Sequence, residues 1–208
     1  MPIYYAKNHI DVYRIRAKMP DIHELSGRGN NHNLTMYINK QIVSLMDIHE
    51  RETIVDVGCG DGTLLNLIVN SCSVSGWGVV PTNEEKSRLE QLYNKCEDMV
   101  FFSGLVQQLP FEDKCIDKVI CNGVLILMES ENDAKRAIAE LSRIAKIDGL
   151  IWIGELPFTD ESACKNYGQS VFRWLWHVLI NQGIIVFFAT VNDCDFSVLL
   201  WECFHYST

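Results

Sequence analysis

Positive charge is scarce in this chain: 18 Lys and Arg stand against 27 Asp and Glu, a net charge of -9. It has no basic run and no basic stripe interleaved with aromatics, which argues against nucleic acid as a partner. CxxC pairs and His or Cys clusters at ligand spacing are also absent. The eight cysteines are therefore expected as free thiols in a reducing cytoplasm, with no disulfide framework and no metal centre. The opening MPIYYAKNHIDVYRIR lacks the basic-then-apolar pattern of a secretion signal, which fits a cytoplasmic protein. Internal repeats and low-complexity tracts are missing too. What remains, 48% hydrophobic and 22% charged residues, is the composition of an ordinary globular chain long enough to bury a sizeable core.

One apolar run stands out. VFRWLWHVLINQGIIVFFATV (Val171–Val191) has the length of a membrane span, but Arg173, His177, Asn181, Gln182 and Gly183 interrupt it. A central Arg costs roughly 2.5–3.5 kcal/mol on insertion. The run reads as a buried helix, a turn at Asn181–Gly183 and a strand. Docking on a membrane surface through Trp174 and Trp176 beside Arg173 is a lesser reading.

Periodicity organises the rest. Residues 1–33 read as an irregular segment or lid, and 34–208 as a single domain. Leu34, Ile38, Ile42, Leu45 and Met46 recur at helical spacing, so Leu34–Ile48 reads as an amphipathic helix. Strands are expected at Thr53–Val57, Ser75–Val80, Met99–Ser103, Ile116–Cys121 and Leu150–Gly154. Helices are expected near Thr63–Val69, Asn83–Lys95 and Asp133–Lys146. Thr82 followed by Glu85 marks a capping box, and Gly149 a helix stop. A further helix is read at Gln169–Leu179. Two last apolar runs, Ile184–Thr190 and Phe196–Phe204, are joined by the short link NDCD, which implies an antiparallel hairpin. The alternation predicts an α/β fold: a Rossmann-like, doubly wound, mostly parallel seven-stranded sheet ending in that hairpin, with helices on both faces.

In such sheets the ligand lies beyond the carboxyl ends of the strands, so the turn in TIVDVGCGDGTLL (Thr53–Leu65) faces the site. Its glycines at 58, 60 and 62 miss the dinucleotide fingerprint because position 63 is Thr. They miss the phosphate loop because no Lys follows. Asp56 and Asp61 flank the turn with no cation between them, which disfavours pyrophosphate and suits a ligand carrying an ammonium or sulfonium.

VDVGCGDGTLL resembles the first motif of the class I S-adenosylmethionine-dependent methyltransferases. LPFEDKCIDKVICNGVLILM (Leu109–Met128) and ELSRIAKIDGLIWIGE (Glu140–Glu155) are similar to two later signatures of that family, in the same order and at the same spacing. The resemblance implies S-adenosylmethionine as cofactor and S-adenosylhomocysteine as product, with Asp56, Gly58, Cys59, Gly60 and Asn122 in the cofactor site. Cys59 is read there as small filler. The family's usual ribose acid aligns with Val80, and its adenine-binding acid with Leu105. Val80 and Pro81 are still placed in the cofactor site, where the Thr82 hydroxyl or the Asn83 amide is expected to meet the ribose, with Glu84 in reach. The backbones of Leu105 and Val106, near Gln107, are expected to read adenine. Arg28 is a candidate for holding a carboxylate of cofactor or substrate.

The catalytic candidates are Glu155, at the end of the fifth strand, and His32, in the polar loop before the first helix. His23 and Tyr37 stand behind them, while His177 reads as a core histidine. The expected activity is methyl transfer to a small hydroxylated acceptor, a sugar or sugar phosphate. CNGVL and GELP resemble stretches of methyltransferases encoded among bacterial surface-polysaccharide genes. The alternative is a non-catalytic binding protein of the same fold. The short chain is expected to leave its acceptor pocket open or completed by a second copy, as in a homodimer.

Overall fold

The structure, a computed structural model, describes residues 8–26 and 32–154 and the backbone of 185–192 and 195–201. Contacts divide the chain into two compact units, 1–105 and 106–208.

The first unit holds helix α1 (His9–Arg16), a 3-10 turn (Ile22–Ser26), helix α2 (His32–Met46), strand β1 (Ile54–Val57) and helix α3 (Thr63–Cys72). Strand β2 (Gly76–Val80), helix α4 (Asn83–Leu92) and strand β3 (Met99–Ser103) follow. β1 pairs in parallel with β2, and β2 with β3. The strand-helix-strand alternation read from the sequence is thus present, with element ends within three residues of those expected. Leu25, Cys59, Leu65, Val69, Val80, Leu89, Met99 and Phe101 pack together as one core cluster. Burying one such side chain is worth roughly 2 kcal/mol, so Leu25, 1% exposed, pins the 3-10 turn to the glycine turn through Cys59.

The N-terminal segment is more ordered than expected. Asn8 Oδ1 accepts from the Asp11 N–H and starts α1. Arg88 of α4 closes the other end: its guanidinium donates to the carbonyls of Arg16 and Ala17 at 3.0 Å and of Pro20 at 3.2 Å. The carbonyls of Arg16 and Ala17 lie at the end of α1, where a helix leaves carbonyls without partners of its own. No residue of α1 is fully buried, so its sequence carries no clear apolar stripe.

The second unit holds strand β4 (Ile116–Asn122), helix α5 (Glu131–Ile144) and strand β5 (Ala145–Gly154), then β6 (Ile185–Asn192) and β7 (Asp195–Trp201). β4 pairs in parallel with β5, and β5 with β6; β6 and β7 pair antiparallel. Gly149 does not stop a helix: α5 ends at Ile144, and Gly149 lies inside β5. The register there jumps from Ile116↔Ala145 to Lys118↔Leu150. The extra residues bulge, with Asp148 at φ 62°. A Cβ on Gly149 would come within 2.9 Å of the Lys146 carbonyl oxygen and 3.1 Å of that of Asp117. Among the described residues no helix is long and apolar enough to cross a membrane; the helix read at Gln169–Leu179 lies outside them, as does His177.

Candidate functional site

The turn after β1 is built by backbone. The N–H groups of Gly58 and Cys59 both donate to the Val79 carbonyl, at 2.8 and 3.2 Å, tying the turn to β2. Gly58, Gly60 and Gly62 take φ of 80°, 54° and 76°, a region that side chains disfavour. Gly62 is further constrained: a Cβ there would lie 2.7 Å from Tyr93 Cε2. Tyr93 reaches the same turn through its hydroxyl, which donates to the Asp61 carbonyl at 2.9 Å. Burial, helped by Asp61, pushes the Tyr93 hydroxyl up to about 12, so it stays a donor.

Both acids of the turn are buried, Asp56 at 3% exposed and Asp61 at 5%. Asp61 engages groups of the protein with both oxygens. Its Oδ1 accepts from the Thr63 N–H at 3.0 Å, an Asx turn at the start of α3. Its Oδ2 lies 2.7 Å from His23 Nδ1. The His23 ring in turn meets the His32 ring edge to face, with centroids 4.5 Å apart. His32 is the first residue of α2, not part of the loop before it. On the next turns of α2, Leu34, Met36 and Tyr37 are exposed. Cys59 is buried, and desolvation, then Asp56, holds its thiol well above its ordinary range, which agrees with a filler role.

At the end of β2, Val80 is buried in the core where the family's ribose acid would stand. The Thr82 hydroxyl is not presented to a ligand, contrary to the ribose role expected of it. It donates to Glu85 Oε2 at 2.7 Å and accepts from the Glu85 N–H, so the capping box is made and Thr82 is only 3% exposed. Asn83 is exposed, its Oδ1 accepting from Ser103 Oγ at 2.7 Å. Pro81, Asn83, Ser103 and Gly104 line an open cleft of about 870 Å³, with Arg14 and Lys18 on its N-terminal side. Leu105, at the end of this unit, is 44% exposed.

In the second unit Val106 is buried, and the Gln107 amide donates to Met128 Sδ at 3.2 Å. Asn122 Oδ1 accepts from Trp152 Nε1 at 3.1 Å. Arg28 and Glu155 lie outside the described residues. Among the described residues no group of acids, histidines and cysteines is arranged to hold a metal ion.

A family model described as "Methyltransferase domain" matches residues 55–153, which includes all three motif stretches except the last two residues of the third. The chain carries a class I S-adenosylmethionine-dependent methyltransferase domain. It is 27% identical over 154 residues to the Bacillus subtilis protein named "Putative methyltransferase YrhH", covering 73% of this chain and 82% of that one. Among solved structures, the N-methyltransferase NodS of Bradyrhizobium japonicum WM9, in complex with S-adenosylhomocysteine, superposes with a TM-score of 0.63 at 14% identity. That match covers 82% of this chain and 86% of NodS. The [4+2]-cyclase SpnF matches with a TM-score of 0.60 at 15% identity, over 74% of this chain and 59% of that one. Likeness at such identities establishes the fold, a Rossmann-like α/β methyltransferase fold, and not the reaction. As an enzyme of this family the protein uses S-adenosylmethionine and releases S-adenosylhomocysteine.

The contact between His23 and Asp61 is one that the sequence does not announce. The two are 38 positions apart, and neither residue belongs to a motif that names the other.

Proposed function

We propose that the protein transfers the methyl group of S-adenosylmethionine to the hydroxyl of a small acceptor, a sugar or sugar phosphate. The observation that carries the cofactor part is the turn after β1: three glycines at positive φ, two buried acids, and no Lys or Arg within it. Such a turn admits a zwitterionic amino-acid tail close to backbone, while its two acids and the missing Lys disfavour a phosphate. Asp56, Gly58 and Gly60 would hold the methionine end, with Cys59 packed beneath. Arg28 is proposed for a carboxylate of cofactor or substrate. The adenosine end would occupy the cleft beside Pro81 and Asn83, where the exposed Asn83 amide replaces the carboxylate missing at Val80. The backbones of Thr82 and Leu105 would complete its contacts.

The bound cofactor supplies an activated methyl on a positive sulfur. The protein's own work is then alignment, exclusion of water and, for a hydroxyl acceptor, removal of one proton. Glu155 and His32 are the candidates that the sequence offers first for that proton, with His23 and Tyr37 behind them. The acidic balance of the chain supports a small acceptor over a polyanionic one. Leu34, Met36 and Tyr37, exposed on α2 beside His32, are suited to wall the acceptor pocket.

Calorimetry with S-adenosylhomocysteine, followed by release of S-adenosylhomocysteine from S-adenosylmethionine across a panel of sugars and sugar phosphates, tests the reading. Binding in the micromolar range and turnover with one acceptor class support it. Absence of any heat overturns it. A second reading, a binding protein without turnover, is favoured by the apolar Val80. It predicts binding of S-adenosylhomocysteine with no acceptor in the panel consumed.

A further inference from the structure

We infer that His23 is the general base of this site and that Asp61 is its positioning residue, an assignment that rests on the methyl-transfer reading above. The Asp61 carboxylate is 5% exposed and held at one oxygen by the Thr63 N–H, so its other oxygen can only accept. At 2.7 Å it therefore takes the proton of His23 Nδ1, and the imidazole is kept in the tautomer whose Nε2 bears the lone pair. A buried carboxylate in this place also stabilises the imidazolium that forms on proton uptake.

The histidine is held rigidly. Its N–H donates to Asp21 Oδ1 at 2.9 Å, the neighbouring Leu25 is buried beneath the glycine turn, and His32 sets an edge against the ring. Arg88 anchors the chain just upstream. The side chain nevertheless stays 42% exposed, at the turn proposed to hold the methionine end. A pair that served only to fasten a lid would gain from full burial; a base must meet its acceptor.

The step balances without a further reactant. The acceptor oxygen bonds to the methyl carbon as that carbon's bond to sulfur breaks. The bonding pair stays on sulfur, and the hydroxyl proton passes to His23 Nε2. An amine acceptor would reach the pocket neutral and need no such base, so the arrangement favours the hydroxyl class.

Two substitutions separate base from fastener. In Asp61→Asn the carboxamide oxygen keeps the Thr63 N–H and its NH2 faces His23, which forces the proton onto Nε2. Nitrogen-15 spectra of histidine-labelled protein should show Nδ1–H for His23 in the wild type and Nε2–H in Asp61→Asn. Nε2–H in the wild type, or no change in the variant, overturns the inference. His23→Asn retains a donor for Asp61 and has nothing at the Nε2 position. It should bind S-adenosylhomocysteine within about threefold of wild type, while turnover falls on the order of 10²–10⁴-fold. Turnover within threefold of wild type makes His23 a fastener and overturns the inference. Diethyl pyrocarbonate, read by mass spectrometry at His23, supplies an arm that needs no acceptor. Bound S-adenosylhomocysteine should slow its acylation at least tenfold. Unchanged acylation with calorimetric binding intact overturns the base; absence of calorimetric binding overturns instead the function on which it rests.

Discussion

Asn122 reaches across β5 to accept the Trp152 indole proton at 3.1 Å, through the space that Gly154 leaves by having no side chain. Asn122 and Gly154 are register partners, and Trp152 sits two residues earlier on the same face. A Cβ on Gly154 would collide with the Asn122 carboxamide and lie 2.6 Å from Trp152 Nε1. The asparagine of CNGVL is thus fixed by a glycine on the neighbouring strand, and two of the three stretches that carry the family resemblance are physically joined.

Gly154→Ala should therefore displace the Asn122 side chain and strip the buried Trp152 N–H of its acceptor. The expected loss is roughly 1–3 kcal/mol in a urea titration. Trp152 fluorescence should change in the folded baseline. Asn122→Ala in the same background should add little, because the contact is already lost.

A second pair of motifs is joined in the same way. Glu140 Oε1 accepts the Leu109 N–H at 2.7 Å, while Arg143 donates to the Phe111 carbonyl at 2.9 Å, the Leu109 carbonyl at 3.3 Å and Asp113 at 2.6 Å. Arg143 also bonds Glu140, which holds that carboxyl below its ordinary range. The E-x-x-R of α5 is a clamp on the loop that begins Leu-Pro-Phe. Arg143→Lys should not rescue Arg143→Ala, since an ammonium cannot span carboxylates and two carbonyls in one plane. Both should lose roughly 2 kcal/mol. Proteolysis should accelerate between Leu109 and Lys114, and equal resistance in the Lys variant would refute the clamp.

The strands and central helices were legible because buried β-branched runs alternate with amphipathic stretches, and the ends of β3 match to the residue. The N-terminal helix was not. His9–Arg16 buries no residue completely and owes its order to Asn8 and Arg88, which no local pattern reveals. The end of α5 was misplaced because Gly149 looks like a helix stop, while its real task is to let a bulge approach two carbonyls. For the site, the glycine turn and its acids were readable. The engagement of Thr82 by Glu85 and of Asp61 by His23 depends on tertiary packing and was not.

At the turn, Gly60→Val places a branched side chain at φ 54°, where proposed ligand and backbone meet. Calorimetry should detect no S-adenosylhomocysteine binding, while circular dichroism stays close to wild type. Gly62→Ala is expected to act on stability instead, losing roughly 1–3 kcal/mol because its Cβ would press on Tyr93 at a positive φ of 76°.

Glu85 gives the chain a pH dependence of a definite sign. The carboxyl is 1% exposed, and burial pushes it from its ordinary 4.5 up to about 7, against the opposing effect of the Thr82 bonds. Its Oε1 and the nearby Arg16 Nε are both buried without a hydrogen-bond partner. A carboxyl raised in the folded state contributes stability fully below pH 4.5 and loses it as pH rises through about 7. The loss amounts to roughly 3 kcal/mol by pH 8. Glu85→Gln keeps an acceptor for the Thr82 hydroxyl and cannot ionise. It should exceed the wild type in urea stability at pH 8 and converge on it near pH 4.5. A stability difference independent of pH would mean that Glu85 is ionised throughout, paired with Arg16 in solution, and that the unpartnered atoms of the structure find each other.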